Sequence, residues 1–487
     1  MENHQSQSGQ HFKKGPIAAL LLAGAFIAIL NQTLMITAIP PIMEEMNISA
    51  NTAQWLTTVF MLVNGVMIPV TAFLIERFTT RQLFISAMSI FAVGTVIAGI
   101  APNFTILLLG RVVQSAGAGI MLPLMQTVFL MIFPVKKRGA AMGMIGLVIS
   151  FAPAIGPALS GWVTANYSWR ILFFIILPIA LIDIVVAIFT MKNVTELTYP
   201  KVDIPSIILS SFGFGSLLYG FSSAGNNGWG SAATIVSLAF GAIILCLFIF
   251  RQLKMKHPML EFRVFKFGVF TLATAVGMIV FMGLIGAETL IPLYIQNMRG
   301  FSAMEAGILL LPGALVMGVM SPITGRIFDK IGARWLAVTG MSIIAIATFP
   351  FTNLTPSTSF TFLTIMYAAR MLGISMVMMP VTTAGLNQLP RQLIPHGAAM
   401  NNTMRQIAGS VGTALLVTVM TNTIIEAQHQ ETVSYARIHG VNVAFMVATL
   451  LALLGVGLSF FIKKTHPPED EETEENPDEA QQSATGS

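Results

Sequence analysis

The sequence predicts an all-α polytopic membrane protein built from two six-helix bundles and two inserted helices. Three observations lead to this fold class: the composition, the number of apolar segments and a weak internal repeat. Hydrophobic residues make up 55% of the 487 residues and charged residues only 10%, whereas soluble domains carry about 25% charged residues. A chain so poor in charge cannot cover a soluble surface of its size, which excludes a large water-soluble enzyme and a disordered protein.

Fourteen apolar segments are long enough to cross a bilayer as helices, which takes about 20 residues each. Because lipid cannot satisfy an open backbone, each segment is expected to be α-helical. The predicted spans 1 to 14 lie at about 17–39, 53–75, 83–101, 105–129, 140–163, 171–191, 204–222, 232–250, 268–292, 303–325, 335–353, 358–382, 398–421 and 441–462.

The 26 lysine and arginine residues are distributed unevenly between the two sides of the predicted membrane. With the N-terminus taken as cytoplasmic, three lie outside, at Arg170, Arg299 and Arg437. Three more lie within spans, at Arg111, Arg370 and Arg405, and the other twenty are cytoplasmic. This excess follows the positive-inside rule and predicts that both termini are cytoplasmic. It also accounts for the net charge of +5 without a nucleic-acid partner.

A weak internal repeat relates the first six spans to the last six. The matching pairs are Gly139–Met142 with Gly397–Met400, Gly156–Leu159 with Gly412–Leu415, Arg111 with Arg370, and 73–81 with 326–334, at offsets of 253 to 259 residues. One order and nearly one register predict two parallel halves around a central substrate site, as in one class of secondary transporter. The predicted organisation is a cytoplasmic N-terminus at 1–15, an N-terminal bundle at 16–192, inserted spans 7 and 8 at 203–251, a C-terminal bundle at 267–464 and a disordered acidic tail at 465–487.

Ionisable residues at membrane depth are costly, and each is therefore a functional candidate. Glu288, near the outer end of span 9, is the first candidate for a proton-binding carboxylate, and Asp183 in span 6 is the second. Arg111 in span 4 would supply a fixed positive charge that modulates proton binding. The alternatives are a solvated interfacial glutamate, a structural acid, and an arginine that tethers loops or helix ends.

Other side chains in the spans and loops could contact a substrate or carry a rearrangement. The candidate pathway residues are Asn31, Gln32, Gln114, Gln126, Met376 and Met379. Methionine suits promiscuous apolar surfaces, although most methionines at these spacings would pack in the core or face lipid. The candidate conformational residues are Gly156, Pro157 and Gly161 of span 5 and Glu76, Arg77, Arg81, Asp329, Lys330 and Arg334 of two loops. The span 5 residues favour a bent, closely packed helix, and the loops favour either ion-pair latches or simple anchoring.

No sequence pattern indicates chemistry on a bound substrate. There is no GxxxxGK[ST] phosphate loop, no catalytic Ser/His/Asp pattern and no metal-binding pattern, and the single Cys246 cannot form an intramolecular disulfide. We therefore expect no enzymatic activity, no cofactor and no metal. Energy for transport would come from an ion gradient, a substrate gradient or another subunit.

The loop motifs resemble those of the major facilitator superfamily, and within it the fourteen-span drug/proton antiporters of the EmrB/QacA type and the lincomycin-resistance-like exporters. The similarity covers residues 12–465. Gly325–Gly332 is similar to the family loop motif G-x-L-a-D-r-x-G-r. In the first copy of that loop, Ala72, Glu76 and Thr79 stand where the family has Gly, Asp and Gly.

The spans carry two further resemblances to this family and one departure. Arg111 and Gln114 are similar to the fourth-span motif, and the Gly/Pro residues of span 5 are similar to the antiporter motif. The departure is in span 1, where Asn31 replaces an aspartate of the family pattern. Because an amide cannot bind a proton, coupling through an acid would move to Glu288 or Asp183.

The resemblance implies a major facilitator fold and a proton-coupled exporter of amphiphilic drugs or antibiotics, working by alternating access in the bacterial plasma membrane. Its partners would be small amphiphilic substrates, protons and the lipid bilayer, and it would function as a monomer. Two alternatives stay open. One is export of an endogenous metabolite or signalling molecule, and the other is a non-transporting membrane sensor or scaffold that acts through the acidic tail.

Overall fold

The computed structural model of the chain describes residues 14–195, 197–427 and 433–462. The predicted acidic tail and most of the predicted N-terminal segment lie outside the described residues. Within them, fourteen helices are long and apolar enough to cross a membrane, which confirms the predicted number. Their bounds are α1 Lys14–Met46, α2 Ala50–Arg77, α3 Thr80–Gly99, α4 Phe104–Ile132, α5 Arg138–Asn166, α6 Ile171–Thr190, α7 Ile204–Asn227, α8 Ala232–Lys254, α9 Gly268–Leu293, α10 Ala303–Ile331, α11 Ala333–Thr348, α12 Phe360–Leu386, α13 Ile394–Ala427 and α14 Val433–Ser459.

Polar side chains set where several helices begin. Ser49, Asn103 and Ser231 accept a hydrogen bond from the backbone N–H three residues further on, at the starts of α2, α4 and α8. Thr79 and Ser302 form complete capping boxes at the starts of α3 and α10. These caps satisfy N–H groups that a helix cannot pair internally, so they fix the helix ends without strands or long loops.

The helices form two bundles with the same internal packing order. In the first bundle α3 packs on α4 and α6, and α1 packs on α5; in the second, α11 packs on α12 and α14, and α9 packs on α13. This correspondence confirms the predicted pair of six-helix bundles. Helices α7 and α8 pack on each other beside the bundles, and α7 lies against both α2 and α13.

The bundles touch along two seams, one between α5 and α10 and one between α2 and α13. Both seams are tied together at the end of the molecule that carries the α2–α3, α4–α5, α10–α11 and α12–α13 connections. We call it the basic end, because its side chains include Arg77, Arg81, Lys136, Lys137, Lys330 and Arg334. The other end is called the opposite end.

Hydrogen bonds between the bundles lie in the half of the molecule next to the basic end. The described cross-bundle pairs are Arg138 with Asn387, Gly139 and Ala140 with Asp329, Glu76 with His396, and Gln126 with Asn402. At the opposite end no described hydrogen bond joins the two bundles: Glu45 and Arg170 pair within the first bundle, and Trp229 of the α7–α8 connection donates to Thr418 of the second. The bundles are therefore fastened together at one end.

The space around glycines of α5 and α10 changes along the seam between the two helices. A Cβ on Gly143 would lie 2.5 Å from the Ser321 carbonyl oxygen and 2.8 Å from Pro322 Cα. Nearer the opposite end, a Cβ on Gly161 of α5 or on Gly307 of α10 would meet nothing within 4 Å. The helices are thus in backbone contact at the basic end, whereas these two glycines nearer the opposite end have no close neighbour, and we infer a cleft between the bundles there.

A candidate transport site between the two bundles

Glu288 lies on α9, ten residues before the end of an apolar segment that runs to Met298. At 1.5 Å per residue this places it about 15 Å from that end, near the middle of a membrane. Its side chain is exposed, and its carboxylate has no hydrogen-bond partner among the described residues. Helices α12 and α13, which α9 packs against, both contact the first bundle, so we place Glu288 at the cleft between the bundles.

Arg370 and Tyr367 of α12 are the charged and polar neighbours of Glu288, and both interact with it electrostatically. The Arg370 guanidinium is 1% exposed. It donates from Nη2 to the Gly283 carbonyl and from Nε to Thr348 Oγ1 at 3.2 Å. Arg370 is therefore held by α9 and α11, and it interacts with the exposed side chain of Glu288.

Arg111 holds a comparable position in the first bundle but lies in a closed network of neutral groups. Its Nη1 donates to Asn31 Oδ1 at 2.6 Å and to Gln114 Oε1 at 2.7 Å. Gln114 Nε2 in turn donates to Thr95 Oγ1 at 2.7 Å, and the guanidinium lies 4.2 Å from the centroid of the Phe60 ring. This buried cation is thus compensated in part by amide and hydroxyl dipoles and by a ring face, while its Nη2 is buried without a hydrogen-bond partner.

Asp183 lies inside the first bundle, away from the cleft. It is 5% exposed, and its Oδ2 is buried without a hydrogen-bond partner. A Cβ on Gly24 of α1 would lie 3.1 Å from this Oδ2 and 3.2 Å from Met121 Sδ and from Phe84. The carboxyl group therefore faces apolar neighbours of α1, α3 and α4.

The predicted pathway residues fall into two groups. Asn31, Gln114, Gln126 and Met379 are buried, whereas Gln32 and Met376 are partly exposed. Gln126 is bound across the bundles, since its Oε1 accepts from Asn402 Nδ2 at 2.6 Å. Met379 lies at the closed part of the molecule, because a Cβ on Gly146 of α5 would lie 3.0 Å from its Cγ.

The acids of the two predicted latch loops both reach across a seam. Asp329 accepts from the backbone N–H of Gly139 at 2.7 Å and of Ala140 at 2.9 Å, at the start of α5. Glu76 accepts from His396 Nε2 at 2.8 Å, at the start of α13. The flanking basic residues behave differently: Arg77 donates to the Pro200 carbonyl at 2.7 Å, and Arg81, Lys330 and Arg334 are exposed.

The Gly/Pro residues of α5 do not share one role. A Cβ on Gly156 would collide with Thr33 of α1, which Gly156 therefore allows to approach closely. Gly161 borders open space, so the expected close helix contact is absent there. Helix α5 nevertheless runs unbroken through Pro153 and Pro157.

Tyr367 and His396 belong to these sites, and the sequence reasoning did not select them. Tyr367 stands three residues before Arg370, one helical turn away, which is a detectable but weak signal. His396 precedes Gly397 just as Arg138 precedes Gly139, so the internal repeat marks its position. Its partner, Glu76, lies on α2, far away in the sequence, and no local sequence pattern predicts that contact.

Five charged residues lie at membrane depth, and their exposure separates one from the rest. Arg111, Asp183, Arg370 and Arg405 are 0%, 5%, 1% and 3% exposed, whereas Glu288 is exposed. The charge that these residues present to the cleft is therefore negative. An exposed carboxylate at this depth can bind a proton or a cationic group of a ligand.

Comparisons with known proteins agree with this architecture. The sequence profile of the Major Facilitator Superfamily matches residues 21–413. The MFS-type transporter YcnB of Bacillus subtilis (strain 168) is 60% identical over 95% of this chain and 98% of its own. The lincomycin resistance protein LmrB of the same strain is 43% identical over 94% of this chain and 98% of its own. The crystal structure of the human organic anion transporter TETRAN superimposes with a TM-score of 0.66 at 12% identity, covering 91% of this chain and 99% of that one.

Proposed function

Because the chain belongs to the major facilitator superfamily, we propose that it is a proton-coupled exporter of amphiphilic drugs or antibiotics that works by alternating access. The observation that carries the proposal is an exposed carboxylate, Glu288, at mid-membrane depth in a cleft whose basic end is fastened. The printed name of the relative LmrB, which refers to lincomycin resistance, supports an antibiotic as one substrate. The same family and the cleft support transport rather than catalysis.

The proposed orientation places the basic end in the cytoplasm of a bacterium, in the plasma membrane, in accord with the positive-inside rule. An even number of spans then puts both termini in the cytoplasm. In this orientation the fastened seams close the cytoplasmic side, so the conformation described above faces outward. We also propose that the two bundles span residues 16–192 and 267–464.

Coupling of substrate transport to protons follows from the free-energy cost of enclosing an ionised carboxylate in a closed cleft. When the cleft closes over Glu288, an ionised and unpaired side chain would be removed from water, which is strongly unfavourable. A bound proton neutralises the carboxylate and makes closure possible. Inward movement of a proton and outward movement of a substrate that replaces it then become two halves of one exchange cycle.

The remaining site residues are proposed to shape the cleft and hold its charges. Arg370 lies beside Glu288 and stays buried, so it favours the ionised carboxylate without itself facing the substrate. Gln32 and Met376 are partly exposed and are proposed to contact substrate. Arg111 is proposed to be a fixed charge of the first bundle. One chain contains the whole cleft, and we propose that it functions as a monomer.

Transport in reconstituted liposomes tests the proposal. Wild-type protein with an imposed proton gradient should move lincomycin or the amphiphilic dye ethidium, and an uncoupler should stop the movement. Glu288→Gln should abolish movement driven by the proton gradient, because the amide cannot bind a proton. Asp183→Asn is the matched control and should keep that activity. Retained coupling in Glu288→Gln with loss in Asp183→Asn would move the proton site to Asp183.

A further inference from the structure

Asn31 and Glu288 hold equivalent places in the two bundles. They lie on the first helices, α1 and α9, at an offset of 257 residues, which falls within the 253 to 259 of the repeat landmarks. Their polar neighbours obey the same rule. The equivalent pairs are Asn31 with Glu288, Arg111 with Arg370 and Thr95 with Thr348.

The structure gives each set the same design. In the first bundle, Arg111 of α4 binds Asn31 of α1 and reaches Thr95 of α3 through Gln114. In the second, Arg370 of α12 interacts with Glu288 of α9 and binds Thr348 of α11. Each site therefore joins the first, third and fourth helices of its bundle around one buried arginine.

The two sites differ in the group that faces the arginine. Asn31 is 2% exposed and accepts from Arg111 Nη1 at 2.6 Å. Glu288 is exposed and has no hydrogen-bond partner among the residues that the structure describes. An amide keeps its charge state at every pH, whereas a carboxylate can gain or lose a proton. Only the second site can respond to protons.

We infer that these are two copies of one proton-binding site, of which the second is active and the first is held inactive by Asn31. Asn31 is then a positioning residue that fixes Arg111, and a carboxylate at either equivalent position can couple transport to protons. The inference rests on the proposed function and specifies which bundle carries the coupling group.

The exchange of roles is sterically possible because asparagine and aspartate have nearly the same shape. Asn31→Asp would put a carboxylate oxygen where Asn31 Oδ1 now accepts from Arg111. The new contact would be charge-assisted, and such bonds are shorter and stronger than neutral ones. The first site would then hold an acid beside its arginine, as the second site does now.

A rescue experiment tests the inference. Wild type, Glu288→Gln, Asn31→Asp with Glu288→Gln, and Asn31→Leu with Glu288→Gln are compared for gradient-driven movement of lincomycin and ethidium in liposomes. The inference expects loss in Glu288→Gln, recovery in the variant with Asn31→Asp, and no recovery in the variant with Asn31→Leu. Recovery also shows that the doubly substituted chain folds.

A second measurement is independent of substrate. A hydrophobic carbodiimide modifies protonated carboxyl groups, and mass spectrometry locates the label. Labelling should occur at position 288 in the wild type and at position 31 in the double variant, and it should fall as pH rises. A double variant that elutes as a folded monomer but shows neither transport nor labelling at position 31 would overturn the equivalence. A wild type with no gradient-driven movement would instead overturn the proposed function.

Discussion

The two seams between the bundles are related by the internal repeat, yet they are built differently. At the α5–α10 seam the backbones touch, because Gly139 and Gly143 of α5 lie against Ser321 and Gly325 of α10. At the α2–α13 seam Ala72 stands where α10 has Gly325, and the closest polar link is between the side chains of Glu76 and His396. Larger residues also replace the other contact residues of the first seam, since Asn401 stands where α5 has Gly143 and Ile68 stands where α10 has Ser321.

The inserted helices add to the difference. Helix α7 packs beside the α2–α13 seam and contacts both of its helices. Trp55 of α2 stacks on Tyr219 of α7 with ring centroids 5.9 Å apart, and Trp229 donates to Thr418 of α13 at 2.6 Å. The α5–α10 seam has no such companion among the described helices. We expect the backbone seam to open as a unit and the other to pivot against α7.

The largest effect is expected from filling the backbone seam. Gly143→Ala would place a methyl group against the Ser321 carbonyl, and such overpacking costs about 1–3 kcal/mol. The seam should open, which lengthens spin-label distances across the basic end in a Cys246→Ser background. Gly161→Ala on the same helix is the control, since its methyl group would meet open space. Equal distances in both variants would contradict the proposed tight seam.

Asp329→Asn should weaken the same seam less. The two carboxylate oxygens of Asp329 accept from two N–H groups at the start of α5, and an asparagine offers one acceptor and no charge. We expect a loss of about 1–2 kcal/mol in seam closure, measured by the same distances. Glu305→Gln, at the start of α10, serves as the control because Glu305 caps its own helix. A closed distance distribution in Asp329→Asn would show that the seam is set by glycine packing alone.

Glu76→Gln should have a smaller effect on the side-chain seam. The Glu261 backbone N–H donates to His396 Nδ1 at 3.3 Å, which assigns the ring proton to Nε2 as donor to Glu76. A glutamine carbonyl can still accept that proton, so we expect a loss of about 0.5–1.5 kcal/mol. Spin labels at the basic ends of α2 and α13 report it. A loss as large as that of Asp329→Asn would mean that the two seams are energetically alike.

The smallest effect is expected from Glu45→Gln at the opposite end. The hydrogen bond from Arg170, aided by Trp169, lowers the pKa of Glu45 below its usual value. The stabilisation is therefore present at neutral pH and is lost as pH falls through that lowered pKa. Because the pair is exposed, salt should screen it. Thermal unfolding over a series of falling pH from pH 7, with and without about 1 M salt, should show a small difference at pH 7 and low salt that declines as the pH falls, and no change in seam distances.

Much of the site was predictable because depth in the membrane is readable from sequence. Five charged residues within apolar segments are functional candidates because a charge at membrane depth is energetically costly. Glu288, Arg370 and Arg111 are among these five. Their contacts were not predictable. Asp183 and Glu288 look alike as isolated acids in apolar helices, and only the packing shows that one faces Gly24 within a bundle and that the other is exposed.

Composition and periodicity are sufficient to predict the class of the molecule, which includes the number of spans, the repeat and the end that carries most basic residues. These depend on composition and periodicity, which bilayer thickness and backbone hydrogen bonding translate directly into helices. Only the packing of the helices shows which acid is exposed, which bundle holds it, and that Glu76 and Asp329 bind different kinds of partner. Those outcomes depend on contacts between helices far apart in the chain, which no local sequence pattern contains.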